Sequence, residues 1–176
     1  MKKCQIILTA ERLREALSYD QETGIFTWLV SPNFRVKVGD AAGCGHHTGY
    51  RRIVIDGVSH QAHRLAWLYV QGYFPTNIMD HINGDRADNR IFNLREATDA
   101  ENNQNKISSR NSTSKYLGVS WSKQRNKWLA TIHVNRKQRY LGQFATEEEA
   151  YAAYCAAKAE FHAFNPAPRK PMEQTL

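Results

Sequence analysis

The sequence predicts an α+β protein: an N-terminal hairpin-and-helix region running into a ββα unit, then a three-stranded antiparallel sheet packed on one helix. Three observations predict it. Short β-patterned runs alternate with capped helical runs through the N-terminal part. A polar stretch, Ser-Ser-Arg-Asn-Ser-Thr-Ser at 108–114, then breaks the apolar pattern and reads as a linker. Beyond it, three strand-like runs separated by basic turns lead into a capped helix.

A helix is expected over 10–18, with Thr9 as its N-cap, Leu8 and Leu13 at the staple positions, and Leu13, Ala16 and Leu17 as its apolar face. Residues 19–24 form a turn and 25–30 a short strand. Residues 31–49 hold Pro32, Gly39, Gly43 and Gly45 and read as mostly loop with room for one short strand; that length suggests a functional segment. Cys44-Gly45-His46-His47 is read as part of this glycine-rich loop, because four well-placed metal ligands are not in view.

Asp56-Gly57 suits a two-residue hairpin turn between strands 50–55 and 58–62. A helix over 63–71 ends at Gly72. His63-Arg64 at its start can bind phosphate, and a structural role for His63 is equally open. Residues 78–82 read as a strand, 83–89 as a polar turn and 90–94 as a second strand. Thr98-Asp99-Ala100-Glu101 is a capping box, so a helix begins at Asp99 and fades by Lys106.

In the last module, strands are expected over 116–122, 128–134 and 138–144. Thr146-Glu147-Glu148-Glu149 is a second capping box, opening a helix whose face carries Ala150, Ala153, Tyr154, Ala157, Phe161 and Phe164. Residues 166–176 read as a loose tail.

Composition narrows the partners. The chain of 176 residues carries 24 basic and 17 acidic side chains, a net +7. The excess is concentrated: residues 110–145 hold Arg110, Lys115, Lys123, Arg125, Lys127, Arg136, Lys137 and Arg139 and no acid. A charge block of one sign favours a polyanion as partner. No apolar run approaches the roughly 20 residues of a membrane span, and the start lacks the pattern of a signal peptide. Cys4, Cys44 and Cys155 are odd in number and far apart, which argues against a disulfide framework or zinc knuckle. A soluble intracellular protein is expected, with no membrane partner.

Residues 78–105 hold the chemistry. Asp80 is a natural oxygen ligand for Mg²⁺ or Mn²⁺, an Asn carbonyl can add a second, and His81 titrates near neutrality. A hard cation and a neutral imidazole suffice for phosphodiester hydrolysis. The pattern Asp80-His81, Asn93 and Asn102, with His63-Arg64-Leu65-Ala66-Trp67 upstream, resembles the HNH endonucleases of ββα-metal fold, of the phage and intron-encoded homing type. The resemblance implies His81 as general base, Asn93 as its orienter, and Asp80 with Asn102 as ligands for Mg²⁺ or Mn²⁺; Asn103 and Asn105 remain alternatives to Asn102. It further implies a phage-encoded protein acting in the cytoplasm of a bacterial host. Asn83, Gly84, Asp85, Asp88 and Asn89 are read as turn-formers.

Tyr116-Leu117-Gly118-Val119-Ser120-Trp121, Lys127-Trp128-Leu129-Ala130-Thr131-Ile132 and Tyr140-Leu141-Gly142-Gln143-Phe144 resemble the plant Apetala/ethylene-response-factor DNA-binding domain. That resemblance implies a sheet lying in the major groove of duplex DNA. Ser120, Ser122, Thr131 and His133 depart from its base-reading residues. Residues Arg51, Arg52, Arg64, Lys115, Lys123, Arg125, Lys127, His133, Arg136, Lys137, Arg139 and Tyr140 are read as DNA-binding. Trp128 is read as packing before contact.

Together these predict a metal-dependent endonuclease on double-stranded DNA: a nuclease domain over 1–107 with its ββα core at about 76–107, a linker over 108–114, a DNA-binding domain over 115–165, and the tail. Nicking by a monomer and cutting by a dimer both remain open. The alternative is a DNA-binding regulator with an inactive centre; an RNA-directed enzyme is a weaker one.

Overall fold

The computed structural model describes residues 7–104 and 112–164 of the chain. Cys4, Asn105, Arg110, the linker up to 111 and the tail 166–176 lie outside them. The observed architecture is α+β, with small antiparallel sheets and four α-helices among the described residues. Contacts divide it into two compact units, Met1–Thr98 and Asp99–Leu176. No described helix is long and apolar enough to cross a membrane.

The first unit opens with α1 (Ala10–Ala16), capped as its sequence requires: Thr9 is extended and its side chain accepts from the Arg12 amide at 3.2 Å. The helix stops earlier than predicted. Leu17–Tyr19 instead forms β1, paired with β2 (Phe26–Trp28) across the turn held by Asp20. Leu17 and Ser18 leave the helix, and Tyr19 the expected turn, because the strand buries Leu17 and Tyr19 on one side, an alternation that a helix cannot give. The predicted strand 25–30 contracts to the same β2 core.

The long loop after it is anchored rather than free: Trp28 donates to the Asp40 carbonyl, Gly39 to the Trp28 carbonyl, and Ala41 bridges Thr27. Its end supplies β3 (Cys44–Gly45), which joins β4 (Arg51–Ile55) and β5 (Val58–Gln61) in order β3-β4-β5. Asp56 (φ 49°) and Gly57 (φ 78°) make the tight turn read from their dipeptide. Helix α2 (Ala62–Gln71) ends where Gly72 adopts φ 83° and returns its amide to the Leu68 carbonyl. Leu13, Leu17, Phe26, Ile53 and Leu65, all essentially inaccessible, form the centre of this unit's core. Each such side chain contributes about 1.5–3 kcal/mol.

The ββ part of the predicted ββα unit needs one correction. Strand β6 (Ile78–His81) is where expected, but its partner is β7 (Leu94–Ala97), not 90–94. Ile91–Asn93 instead closes a 3₁₀ turn, with the Asn93 amide on the Arg90 carbonyl. Helix α3 (Asp99–Gln104) begins as the capping box predicts and is counted with the second unit.

In that unit β8 (Val119–Ser122), β9 (Lys127–Val134) and β10 (Lys137–Phe144) form an antiparallel sheet in order β10-β9-β8. Against it packs α4 (Glu147–Phe161). Its capping box is complete, Thr146 accepting from the Glu149 amide while the Glu149 carboxylate accepts from the Thr146 amide. Ala150, Tyr154 and Ala157 are buried, as predicted. Lys158 is buried too, its ammonium on the Gln104 carbonyl at 2.5 Å.

Candidate active site and nucleic-acid interface

Strand β6 brings two ionisable side chains below the surface in succession: Asp80 and His81 are each about 4% exposed. Strand alternation separates their surroundings. Asp80 meets its cross-strand neighbour Arg95, which donates through Nε and Nη2 to the same carboxylate oxygen at 3.0 and 2.9 Å. The His81 ring lies among other rings, 5.1 Å from His63 edge-to-face and 5.9 Å from Tyr50. His63 and Tyr50 are themselves 5.1 Å apart.

The electrostatics follow from that packing. Burial, foremost, pushes the His81 imidazole below its ordinary range, and the contact with Asn89 and the nearby Asp80, Asp85 and Asp88 charges oppose it. Burial likewise drives His63 down to about 3, helped by His81 and Arg64, so it is neutral at physiological pH. The buried His63 Nδ1 has no hydrogen-bond partner among the described residues.

Residues 82–90 form a loop of interlocked polar groups that reaches His81 through Asn89. Asn93, buried, accepts from the Asn83 amide at 3.0 Å and donates to the Asn83 side-chain oxygen at 3.0 Å and the Asp88 carbonyl at 2.9 Å. Asp88 carries Arg90 in a two-point pair, which holds its carboxyl below the usual range. Asn89, almost inaccessible, stands with its side-chain oxygen 3.4 Å from His81 Nε2. Tyr19 donates to the Asn89 carbonyl at 2.6 Å and fixes that residue from the other side.

The residues predicted from sequence are therefore placed as follows. Asp80, His81 and Asn93 come together in the first unit. The amide contact on the His81 side chain is made by Asn89, which the sequence presented as a turn-former, while Asn93 clasps the loop that carries it. Asn102 lies half-buried and Asn103 exposed on α3. No local sequence signal distinguishes Asn89 from its polar neighbours; its burial comes from the Tyr19 contact, made across a long stretch of chain.

As for a metal, Asp80 is a hard oxygen donor beside the ordered 83–88 loop, and no group of three or more His, Cys, Asp or Glu side chains is gathered among the described residues. Such a donor set fits a cation that keeps waters and takes phosphate oxygens, as Mg²⁺ does, better than a closed four-ligand site.

The basic residues divide by position. Arg51 donates to the Gly43 carbonyl, and Arg64 is half-buried over Phe74, donating to the Pro75 carbonyl. On the C-terminal sheet, cross-strand register decides which face a side chain takes. Thr131 pairs with Tyr140 and His133 with Gln138, and Lys127 pairs with Ser122; these lie on the face away from Ala130 and Ile132. Arg139 pairs with Ile132 instead, and its guanidinium lies 4.8 Å over the Phe161 ring on the helix side. Lys123 and Arg125 are exposed in the β8–β9 turn, Arg136 and Lys137 at the β9–β10 turn, and Lys115 lies over Tyr116. Trp128 packs on the core with Trp121 edge-on at 5.1 Å.

Residues 60–104 match the family model described as HNH endonuclease, a span containing α2, both strands of the hairpin and α3. A 77-residue stretch, 43% of the chain, is 35% identical to Protein 3.8 of Escherichia phage T7. The chain spans 64% of the length of that relative. Among solved structures, the HNH homing endonuclease I-HmuI, studied for its DNA binding and cleavage, is similar at 26% identity. That match covers 51% of this chain and 50% of the other, with a TM-score of 0.39.

Proposed function

We propose that the protein is a metal-dependent DNA endonuclease of the HNH homing type, hydrolysing phosphodiester bonds in duplex DNA. The observation that carries this is the setting of His81. It is a buried imidazole biased toward its neutral form, framed by Tyr50, His63 and Asn89, on the strand that also presents the buried Asp80. A neutral, oriented imidazole is what proton abstraction from water requires. The HNH match over 60–104 supports the same reading.

In the proposed mechanism His81 directs Nε2–H to the Asn89 side-chain oxygen, which leaves Nδ1 as the proton acceptor. Nδ1 takes a proton from water as the water oxygen attacks phosphorus, and the bond to the departing DNA oxygen breaks. Asn93 orients His81 indirectly, by clasping the loop that carries Asn89. Asp80 is the proposed ligand for Mg²⁺ or Mn²⁺, with Asn102 as its companion on motif spacing. The cation would supply charge stabilisation at the phosphate and at the departing oxygen. The C-terminal sheet is proposed to anchor DNA as an Apetala/ethylene-response-factor-like domain. Lys127, His133 and Tyr140 lie on its open face, and Lys123, Arg125, Arg136 and Lys137 in its turns.

Plasmid relaxation tests the reading. Wild type with Mg²⁺ is expected to nick supercoiled DNA, with His81→Ala or excess EDTA lowering the rate by about 10²–10⁴. Equal nicking in all three would sink it. The hold of Arg95 on Asp80 favours a second reading, a DNA-binding regulator whose centre is silent, because a guanidinium competes with a metal for that carboxylate. Tight binding with no broken strand at high protein concentration would support that alternative.

A further inference from the structure

One cation beside this site is held in place, yet no ion pair among the described residues includes it. The loop 83–90 carries two arginines and two aspartates, and three of the four are engaged within the loop itself. Asp85 accepts from the Ala87 amide, and Asp88 pairs with Arg90. Arg86 is exposed, and none of the ion pairs among the described residues includes it. It is nevertheless fixed at three points. Its Nη1 donates to the Thr48 carbonyl at 2.8 Å. Its guanidinium carbon stands 5.0 Å over the centre of the Tyr50 ring. Its aliphatic stem covers Gly49, where an added Cβ would lie 3.6 Å from Cδ and 3.7 Å from the Arg86 Cβ. Tyr50 is the ring that also borders His81 at 5.9 Å and His63 at 5.1 Å. One aromatic wall therefore has the imidazole against it and the guanidinium over its face.

An arginine in solution samples many rotamers, and ordering it costs side-chain entropy. Here the stacking and the Thr48 carbonyl have already ordered it. The Thr48 bond uses one of five N–H donors, so the fork that matches a phosphate remains available. No ion pair among the described residues offsets that charge.

We propose that Arg86, mounted on Tyr50 and the Thr48 carbonyl, is a backbone-phosphate binding residue of the centre, gripping a DNA phosphate beside His81. The proposal deepens the endonuclease reading and rests on it for the identity of the phosphate as that of DNA. Arg64, placed at a helix start by sequence, is by contrast half-buried against Phe74 and Pro75. Tyr50 is a positioning residue: it acts through Arg86.

The test measures duplex-DNA binding by fluorescence anisotropy in EDTA across a salt series, so that no cleavage is needed. Arg86→Gln is expected to weaken binding roughly five- to tenfold at about 0.1 M salt and to reduce the slope of log K against log salt by about 0.9, one phosphate's worth. Arg86→Lys should recover the slope while recovering only part of the affinity, since a point charge loses the fork and the stacking. Tyr50→Leu should weaken binding with the charge count unchanged. Arg35→Gln, an exposed arginine elsewhere, should leave slope and affinity as in wild type. Equal slopes for wild type and Arg86→Gln, or an equal loss from Arg35→Gln, would overturn the proposal. The two readings fail separately. A protein that nicks no DNA but shows the Arg86 slope change loses the nuclease reading and keeps the phosphate site. One that nicks DNA with an unchanged slope loses only the site.

Discussion

Arg95 stands directly across the β6–β7 ladder from Asp80 and donates two hydrogen bonds to one oxygen of its buried carboxylate. A buried charge with a paired partner is tolerable; the same charge deprived of its partner is not. Arg95→Ala is therefore expected to destabilise the fold by about 2–4 kcal/mol, read as a lower urea midpoint. A midpoint equal to wild type would mean that Asp80 does not depend on this pair.

His63 makes stability depend on pH. Its folded pKa of about 3 lies below the ordinary 6.5, so between those values the unfolded chain takes a proton that the folded chain refuses. The contribution is complete above pH 6.5 and is lost as pH falls toward 3. At pH 5 the loss amounts to about 2 kcal/mol from this residue. His63→Leu removes the group, so its urea-derived stability should fall less between pH 7 and pH 5 than that of wild type. Parallel pH dependences for the two proteins would contradict the burial argument.

Asn93 and Asn89 should fail differently. Asn93→Ala removes three hydrogen bonds that hold residues 83–88, and is expected to cost about 1–3 kcal/mol of stability as well as activity. Asn89→Ala keeps those bonds and releases the His81 ring, so its nicking rate should fall more than its melting temperature predicts. If Asn89→Ala nicks at the wild-type rate, the contact at 3.4 Å does not orient the base.

Much of the framework was legible locally. Thr9, the Thr146–Glu149 box, the Asp56-Gly57 turn and the Gly72 stop act within a few residues of themselves, and each is found as read. The second strand of the hairpin was not legible, because Ile91 and Phe92 carry strand-forming side chains into a 3₁₀ turn. That shift sets Arg95, and not an earlier residue, opposite Asp80. Asp80, His81 and Asn93 were visible as a motif, whereas Asn89, the Tyr50–His63 frame and Arg86 depend on contacts between distant segments. The buried Lys158 contradicts its residue type, and its ammonium bonds the Gln104 carbonyl.

Gly24 ties the site to the N-terminal turn. It has φ 72°, and a Cβ there would meet the Arg90 amide nitrogen at 2.5 Å and the Asn89 carbonyl carbon at 2.6 Å. Both atoms are backbone, so the turn and the Asn89 segment must move apart. Gly24→Ala is expected to lower stability by about 2 kcal/mol or more and to slow nicking, since it pushes on the residue that touches His81. Unchanged melting and unchanged nicking together would show that the two segments are not rigidly coupled.

The central claim is that His81 takes the proton from the attacking water, and single-turnover cleavage at saturating protein tests it most directly. DNA binding by wild type and by His81→Ala in EDTA should agree within about twofold, while the Mg²⁺-started cleavage rate of the variant falls by about 10²–10⁴. Equal cleavage rates at equal binding would contradict the assignment.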